Sequence, residues 1–372
     1  MKVICDRGAL ADALNLAGSV IVTRTPKPVL ACVRITASAD PPSLTLAATD
    51  LEAAVRVTSA RVEVQEVGEA LVPAEKLSQI VRESVDPTLT IEVQGEEAHI
   101  RAQDSHFKVF CYPVADFPPL PDFVGDPDFE IAASDLTKLI TQTIFATARE
   151  SSRYAINGVL IERDGSKLSV IATDGRRLAM AKGDCQQARG EGEPGRHAAI
   201  VPSKALSIML RMFQDPEQAV RVRIADNQIF FGSDDAQLAS TLVEGNFPPY
   251  LDVIPQDGDK KATLGTDLLA SAVRRAALLT NEESKGVRLV FEPEQLKLTS
   301  RAPEMGEAEI NVELPEYRGE PIEIGFNPQF ITDVLKVVET EQVQIEMKAP
   351  NKPGVFRTGS DFLYVIMPVN LQ

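Results

Sequence analysis

Apolar residues fall at helical spacing in six stretches, and the stretches are of two kinds, each written three times. In the first kind, Leu10, Ala13, Leu14 and Ala17 share one helix face. Leu136, Leu139, Ile140 and Ile144 do so after Ser134-Asp135, and Leu268, Leu269, Ala272, Val273 and Ala276 after Thr266-Asp267. Ser134 and Thr266, or the Asp after each, suit the N-cap, where a side-chain oxygen accepts from an otherwise unpaired amide. The second kind is a short apolar run, a break, then a helix. Leu71-Val72-Pro73 leads into Leu77, Ile80 and Val81, and Ile200-Val201-Pro202 into Leu206, Met209, Leu210 and Phe213. Ile324-Gly325-Phe326-Asn327-Pro328 leads into Ile331, Val334, Leu335 and Val338. Proline costs nothing there, because the amide it lacks would be unpaired in a first turn.

The register of the repeats holds. Leu10 to Leu136 is 126 residues and Leu136 to Leu268 is 132, while Pro73 to Pro202 is 129 and Pro202 to Asn327 is 125. Between the helices lie alternating, β-branched runs, such as 44–46, 55–57, 168–171, 220–224 and 343–346, which predict antiparallel strands with one wet face. The fold class is therefore α+β: three repeated modules, each with two helices packed on antiparallel sheet. Polar, turn-rich stretches at 123–128 and 254–259 divide the modules into 1–125, 128–254 and 256–372. Asp116-Phe117-Pro118-Pro119 and Asn246-Phe247-Pro248-Pro249 repeat one phrase just before each division.

Composition and the remaining sequence features add four constraints. The 372 residues include no Trp and only 5% aromatics, so the cores must be aliphatic. The start Met1-Lys2-Val3-Ile4-Cys5-Asp6 shows no apolar run of a secretory leader, and no stretch is long enough to span a membrane, which predicts a cytoplasmic protein. Cys5, Cys32, Cys111 and Cys185 lie far apart, as reduced, mostly buried thiols would. A net charge of −16 opposes simple charge-driven adhesion to nucleic acid, so any such role must explain the sign.

Enzymatic chemistry is thinly written. The histidines are His99, His106 and His197, and no HExxH, CxxC, GxSxG or GxxxxGK[ST] pattern occurs, so neither metal nor cofactor is expected. Gly190-Glu191-Gly192-Glu193-Pro194-Gly195 matches GxGxxG, but a strand-like run follows it instead of a helix, and its glutamates would repel a phosphate; it reads as a linker. Asp50 and Asp174 end two equivalent Ala-Thr-Asp phrases. Each reads as the cap of a turn after a strand, with Gly175 free to take positive φ.

Two strings carry more. Ala172-Thr173-Asp174-Gly175-Arg176-Arg177-Leu178-Ala179 and the tail Tyr364-Val365-Ile366-Met367-Pro368-Val369, with Tyr154-Ala155-Ile156-Asn157-Gly158 and the triple repeat, resemble the bacterial replicative sliding clamp family, the β subunit of DNA polymerase III. The resemblance runs from the first helix to the last strand. It implies a head-to-tail homodimer whose six modules ring duplex DNA, helices inward, binding without sequence preference and conferring processivity without catalysis. It also implies a hydrophobic pocket for peptides of the polymerase catalytic subunit, the clamp loader and other partners, made by Ile156, Thr173, Gly175, Arg176, Arg177, Leu178, Pro248, Val253, Val365, Ile366, Met367, Pro368 and Val369. Flexible Met and aliphatic walls would suit several partners.

The charge then makes sense. The six helical stretches total +2, leaving the remaining residues to hold the acidity, so weak attraction inside the ring meets repulsion outside. The residues implied to meet phosphates are Arg24, Lys76, Arg82, Lys138, Arg149, Arg153, Tyr154, Lys204, Arg211 and Arg275. At the implied dimer seam, Phe107 and Val109 form one apolar half and Leu278 and Leu279 the other. An acidic strip, Glu304, Glu307 and Glu309, faces a thin basic one, Arg101 and Lys108. The chain departs from the family where Arg176 replaces a frequent His, where Asp252 replaces a basic residue, and where Asp104 and His106 stand at frequently basic positions. Two readings from other classes remain: an α+β enzyme acting on an anionic small molecule through Asp174 and Arg177, marked by a deep pocket of convergent charged groups, and a monomeric interaction hub.

Overall fold

The computed structural model of the chain describes residues 1–148, 155–187, 197–280, 286–303 and 305–370. Among them are six α-helices: α1 (Arg7–Gly18), α2 (Ala74–Glu83), α3 (Ala133–Ile144), α4 (Ser203–Met212), α5 (Thr266–Ala276) and α6 (Pro328–Leu335). Each of the six periodic stretches becomes one of them. Their formal charges again total +2. None of the helices is long and apolar enough to cross a membrane. The GxGxxG stretch lies outside the described residues.

The capping pattern differs from expectation. Asp6 caps α1, its carboxylate accepting from the Ala9 amide at 2.8 Å, and Asn327 caps α6 through the Gln329 amide at 2.9 Å. Thr266 lies inside α5, and its hydroxyl instead donates to the Thr340 carbonyl at 2.7 Å, while Ser134 is the second residue of α3. Leu268, expected on the buried face of α5, is 45% exposed; Leu269, Ala270, Ala272, Val273 and Ala276 form that face.

Among the described residues all strand pairing is antiparallel, and two arrays recur. The four-stranded array runs Gly68–Pro73, Cys32–Ala39, Pro42–Thr49, Ala53–Ser59 in its first copy. The second is His197–Pro202, Gly158–Asp164, Lys167–Thr173, Arg177–Asp184; the third is Ile322–Phe326, Val287–Glu292, Glu294–Ala302, Gly306–Leu314. The five-stranded array runs Val62–Glu66, Lys2–Asp6, Thr88–Gln94, Glu97–Arg101, His106–Phe110, then twice more, ending on Ala236–Thr241 and on Phe362–Ile366. Helices α1 and α2 pack together, as do α5 and α6.

What the sequence pattern did not show is that the arrays fuse. Ala53–Ser59 pairs with Ala236–Thr241, with Val55 opposite Leu238, making one nine-stranded sheet. Arg177–Asp184 pairs with Phe362–Ile366, with Leu178 opposite Val365, making the other. The chain accordingly divides into two compact units, one dominated by residues 1–134 and 204–242, the other by 135–184 and 243–372. The central repeat gives its five-stranded array to the first unit and its four-stranded array to the second. Edge amides and carbonyls need partners, and the neighbouring repeat supplies them.

Gly158 shows how tightly one array is packed. A β-carbon there would lie 2.8 Å from the Val201 carbonyl oxygen and 2.9 Å from an Ile200 methyl. Gly158→Ala is therefore expected to destabilise the second unit by about 1–3 kcal/mol, read as a lower urea midpoint; an unchanged midpoint contradicts this packing.

Candidate functional site

In the second unit the strand Lys167–Thr173 turns through residues 174–176 into Arg177–Asp184. Asp174 organises the turn: its Oδ1 accepts from the amides of Arg176 (2.9 Å) and Arg177 (3.1 Å). Gly175 sits at φ 83°, a conformation glycine takes without steric cost. Asp50 makes the same turn in the first unit, accepting from Glu52 and Ala53, but Leu51 carries φ 80° there. Both phrases are thus capped turns.

Arg177 is spent within this site. Its Nε donates to Asp174 Oδ2 at 3.0 Å, one Nη to Asp333 Oδ2 at 2.8 Å and the other to the Phe145 carbonyl at 2.8 Å. Its guanidinium lies 4.4 Å from the Phe330 ring centre and 5.5 Å from that of Phe145. The planar fork of donors suits such multiple recognition. Burial opposes charge on Arg177, yet Tyr364, Asp333 and Asp174 together hold its pKa above the ordinary value. Burial likewise pushes the Asp333 carboxyl up, but the hydrogen bonds from Arg177 and Gln329 outweigh it and hold it below the usual carboxylate range. Tyr364, fully buried, is pushed well above the usual phenol value by burial, and its hydroxyl donates to the Phe330 carbonyl at 3.1 Å. Asp333, Phe145 and Phe330 were not among the residues the sequence singled out, and Tyr364 was named only as the start of the tail. Only the pairing of α6 with a distant turn, invisible in local pattern, brings them in.

Against this cluster opens a hollow of about 250 Å³, lined by Ile156, Thr173, Gly175, Arg176, Arg177, Leu178, Pro248, Pro249, Tyr250, Asp252, Val253, Val365 and Met367. Ten of the thirteen expected pocket residues are on this wall. Ile366, Pro368 and Val369 are not. Strand alternation turns Val365 and Met367 towards the hollow and Ile366, fully buried, away from it. The Val369 amide bonds the Gly325 carbonyl at 2.9 Å, which carries the tail off along strand Ile322–Phe326. The Met367 amide, by contrast, bonds the Arg176 carbonyl at 2.9 Å and clasps tail to turn.

The expected phosphate contacts have varied surroundings. Lys204 is ion-paired with Asp50, and Lys138 with Glu339 at 3.3 Å. Burial raises the Asp50 carboxyl, but Lys204 and the amides of Ala53 and Glu52 overcome it and lower the pKa. Lys76 reaches Gln79, and Arg211 and Arg275 donate to carbonyls one turn back, Ser207 and Ser271. Arg24 and Arg82 are exposed. Arg149, Arg153 and Tyr154 lie outside the described residues.

At the implied dimer seam, His106–Phe110 and Gly306–Leu314 are both edge strands. Phe107 is 40% exposed and, with Val109, Ile80 and Tyr112, borders a hollow of about 680 Å³; Leu278 is 73% exposed and Leu279 half-buried. The charged strips are largely paired within the chain: Lys108 with Glu97 at 3.0 Å, Arg101 with Glu92, Lys297 with Glu309 at 2.7 Å and Arg301 with Glu307 at 3.2 Å. Glu304 lies outside the described residues.

A chain of repeated antiparallel arrays joined edge to edge, with an apolar hollow beside one junction, has the architecture of a DNA clamp. Family models for the DNA polymerase III beta subunit match it in series: the N-terminal domain at residues 1–121, the central domain at 130–249 and the C-terminal domain at 251–370. The chain is 35% identical to the beta sliding clamp of Pseudomonas aeruginosa over the whole of both proteins. It is also 35% identical to that of Escherichia coli (strain K12), over 88% of this chain and 89% of that one. Among solved structures, the Pseudomonas aeruginosa clamp bound to griselimycin superposes with a TM-score of 0.94 at 34% identity, and the Bacillus subtilis clamp with 0.93 at 26%, each covering 100% of both chains. The chain belongs to the DNA polymerase III beta subunit family, and its function is that of a DNA sliding clamp in replication.

Removing one carboxylate from the Arg177 cluster tests its weight. Asp333→Asn is expected to cost about 1–3 kcal/mol at neutral pH, read by urea unfolding. Because the native Asp333 pKa is depressed, its contribution is present above the unfolded value, about 3.9, and is lost as pH falls through the lower native one. The difference between the two proteins should therefore shrink in that acid range; a constant difference would contradict the assignment.

Proposed function

We propose that two copies of the chain close head to tail into a six-module ring around duplex DNA. The observation that carries this reading is the pairing rule of the two fused sheets. In each, the last strand of a four-stranded array pairs antiparallel with the last strand of the next repeat's five-stranded array. Applying the same rule to the remaining terminal strands joins Gly306–Leu314 of one copy to His106–Phe110 of another. Two such joins satisfy every seam and leave no end on which a filament could grow. Phe107 and Val109 on one side and Leu278 and Leu279 on the other supply apolar cover, and the internally paired charged strips contribute little to closure.

In this reading the modules span 1–125, 128–254 and 256–372, each with two helices on antiparallel sheet, and the helices face the DNA. A total helix charge of +2 within an acidic chain favours a weak, salt-sensitive hold on phosphate, suited to sliding. Among the described candidate contacts Arg24 and Arg82 are the freest, whereas Lys204 must share its charge with Asp50. The chain carries out no chemistry of its own. It tethers the polymerase and other clamp-binding proteins through the hollow at Leu178, Val365 and Met367, where the fully engaged Arg177 supports a holding rather than a catalytic role.

Leu278→Asp with Leu279→Asp is expected to yield monomers, since ring closure would bury unpaired charge. Sedimentation at micromolar concentration checks this, together with retention of the native protein on nicked circular DNA and its release on linearisation. A native monomer, or equal retention on both DNA forms, would overturn the ring. For the pocket, burying two Leu-like anchors yields roughly 3–6 kcal/mol before ordering costs, which predicts micromolar-order binding. Met367→Ala and Leu178→Asp should each weaken peptide binding in calorimetry; native affinity in both would misplace the pocket.

A further inference from the structure

The hollow is apolar along its walls but not at its rim. Three charged side chains border it: Arg176, Arg177 and Asp252. Arg177 is neutralised by Asp174 and Asp333. The other two are exposed, and among the described residues neither makes an ion pair. Their backbones are nonetheless fixed. The Arg176 amide donates to Asp174 and its carbonyl accepts from Met367, while the Asp252 amide donates to the Pro249 carbonyl at 3.2 Å inside the short 3-10 turn Tyr250–Val253. Among the described residues, two unpaired charges of opposite sign, each on a backbone-hydrogen-bonded turn, thus stand on the two different segments that wall one hollow, Arg176 on the strand-joining turn and Asp252 on the turn after Pro248-Pro249.

We propose that Arg176 and Asp252 set the charge polarity of the partner segments this hollow accepts: apolar anchors bracketed by an acidic side chain at the Arg176 wall and a basic one at the Asp252 wall. This rests on the reading of the hollow as a peptide pocket and adds to it the chemical class of the occupant. A carboxylate at Arg176 gains a planar, two-pronged donor, and an ammonium or guanidinium at Asp252 gains an acceptor that no side chain among the described residues engages. An occupant with the opposite polarity places like charges together at both walls. One with neutral flanks leaves both rim charges to solvent, so it binds through its anchors alone. The acidic chain as a whole would attract any basic peptide; Arg176 is the local feature that makes polarity, rather than net charge, the selected property.

The test uses the full-length protein and three synthetic peptides sharing two Leu anchors: Glu before and Lys after the anchors, Lys before and Glu after, and Gln at both places. The two charged peptides have identical composition and net charge, so only polarity separates them. Fluorescence anisotropy at low salt should show their affinities differing by about three- to tenfold, the size of two solvent-facing ion pairs gained or lost. The neutral peptide should fall between them, and the gap should narrow at high salt. The double variant Arg176→Glu with Asp252→Lys, its folding checked by thermal unfolding, should reverse the order. Equal affinities for the two charged peptides on the native protein overturn the proposal without recourse to the variant, as does an order that the variant leaves unreversed. If none of the three peptides binds, the pocket reading itself fails and the polarity with it.

Discussion

The structure depends on the hydrogen-bonding groups along the edges of its sheets. A four-stranded and a five-stranded array each end on a strand whose outer amides and carbonyls lack partners, and such an edge is either covered, blunted or paired. Here the chain pairs them, Ala53–Ser59 with Ala236–Thr241 and Arg177–Asp184 with Phe362–Ile366. The cost of an open edge is thereby removed twice within one chain and displaced to the terminal strands. Compactness follows the sheets and not the repeats, which is why the central repeat is shared between two units.

The hollow is a by-product of the same pairing. Joining Arg177–Asp184 to the last strand sets the turn at Asp174 beside the tail, so two segments nearly two hundred residues apart wall one space. The first unit shows what the space becomes when it is filled. There Ala54 and Ala239 stand opposite one another as Leu178 and Val365 do in the second unit, and Phe230 takes the place of Val355. Leu120 and Phe123 then cover them, with Phe123 and Phe230 edge-to-face at 5.9 Å between centroids. One aromatic contact, donated by the segment after Phe117-Pro118-Pro119, occupies the position that the second unit leaves open between Tyr250, Val253 and Met367. The electrostatic clasps differ in parallel: Lys204 on Asp50 in one unit, and Arg177 gripping both Asp174 and Asp333 in the other.

Much of this was legible because helix and strand periodicities are local. The three-fold repeat, all six helices and the strands around Leu46, Val55, Val170, Val222 and Ile345 could be read directly from spacing. Most of the pocket wall was legible too, through the resemblance of two strings to a known family. What escaped depended on neighbours remote in sequence. Nothing near Thr266 foretells that its hydroxyl turns to Thr340 rather than capping α5, nor does the apolar run at 268–269 say which leucine faces water. The fusion of arrays, the Arg177–Asp333 bond and the departure of Ile366, Pro368 and Val369 from the hollow all come from register across strands, which composition does not encode. The free charges of Arg176 and Asp252 became meaningful only once Arg177 was seen to be fully engaged.

The central claim is that His106–Phe110 and Gly306–Leu314, the two array ends that correspond to the fused ones, complete the pattern by pairing with each other across copies. Amide hydrogen exchange measured against protein concentration tests it most directly. The account predicts that amides in His106–Phe110 and Gly306–Leu314 gain protection together as copies associate, while the strands of the two internal seams stay protected at every concentration. Association that protects other surfaces, or leaves these two strands exchanging as freely as in the monomer, would contradict it.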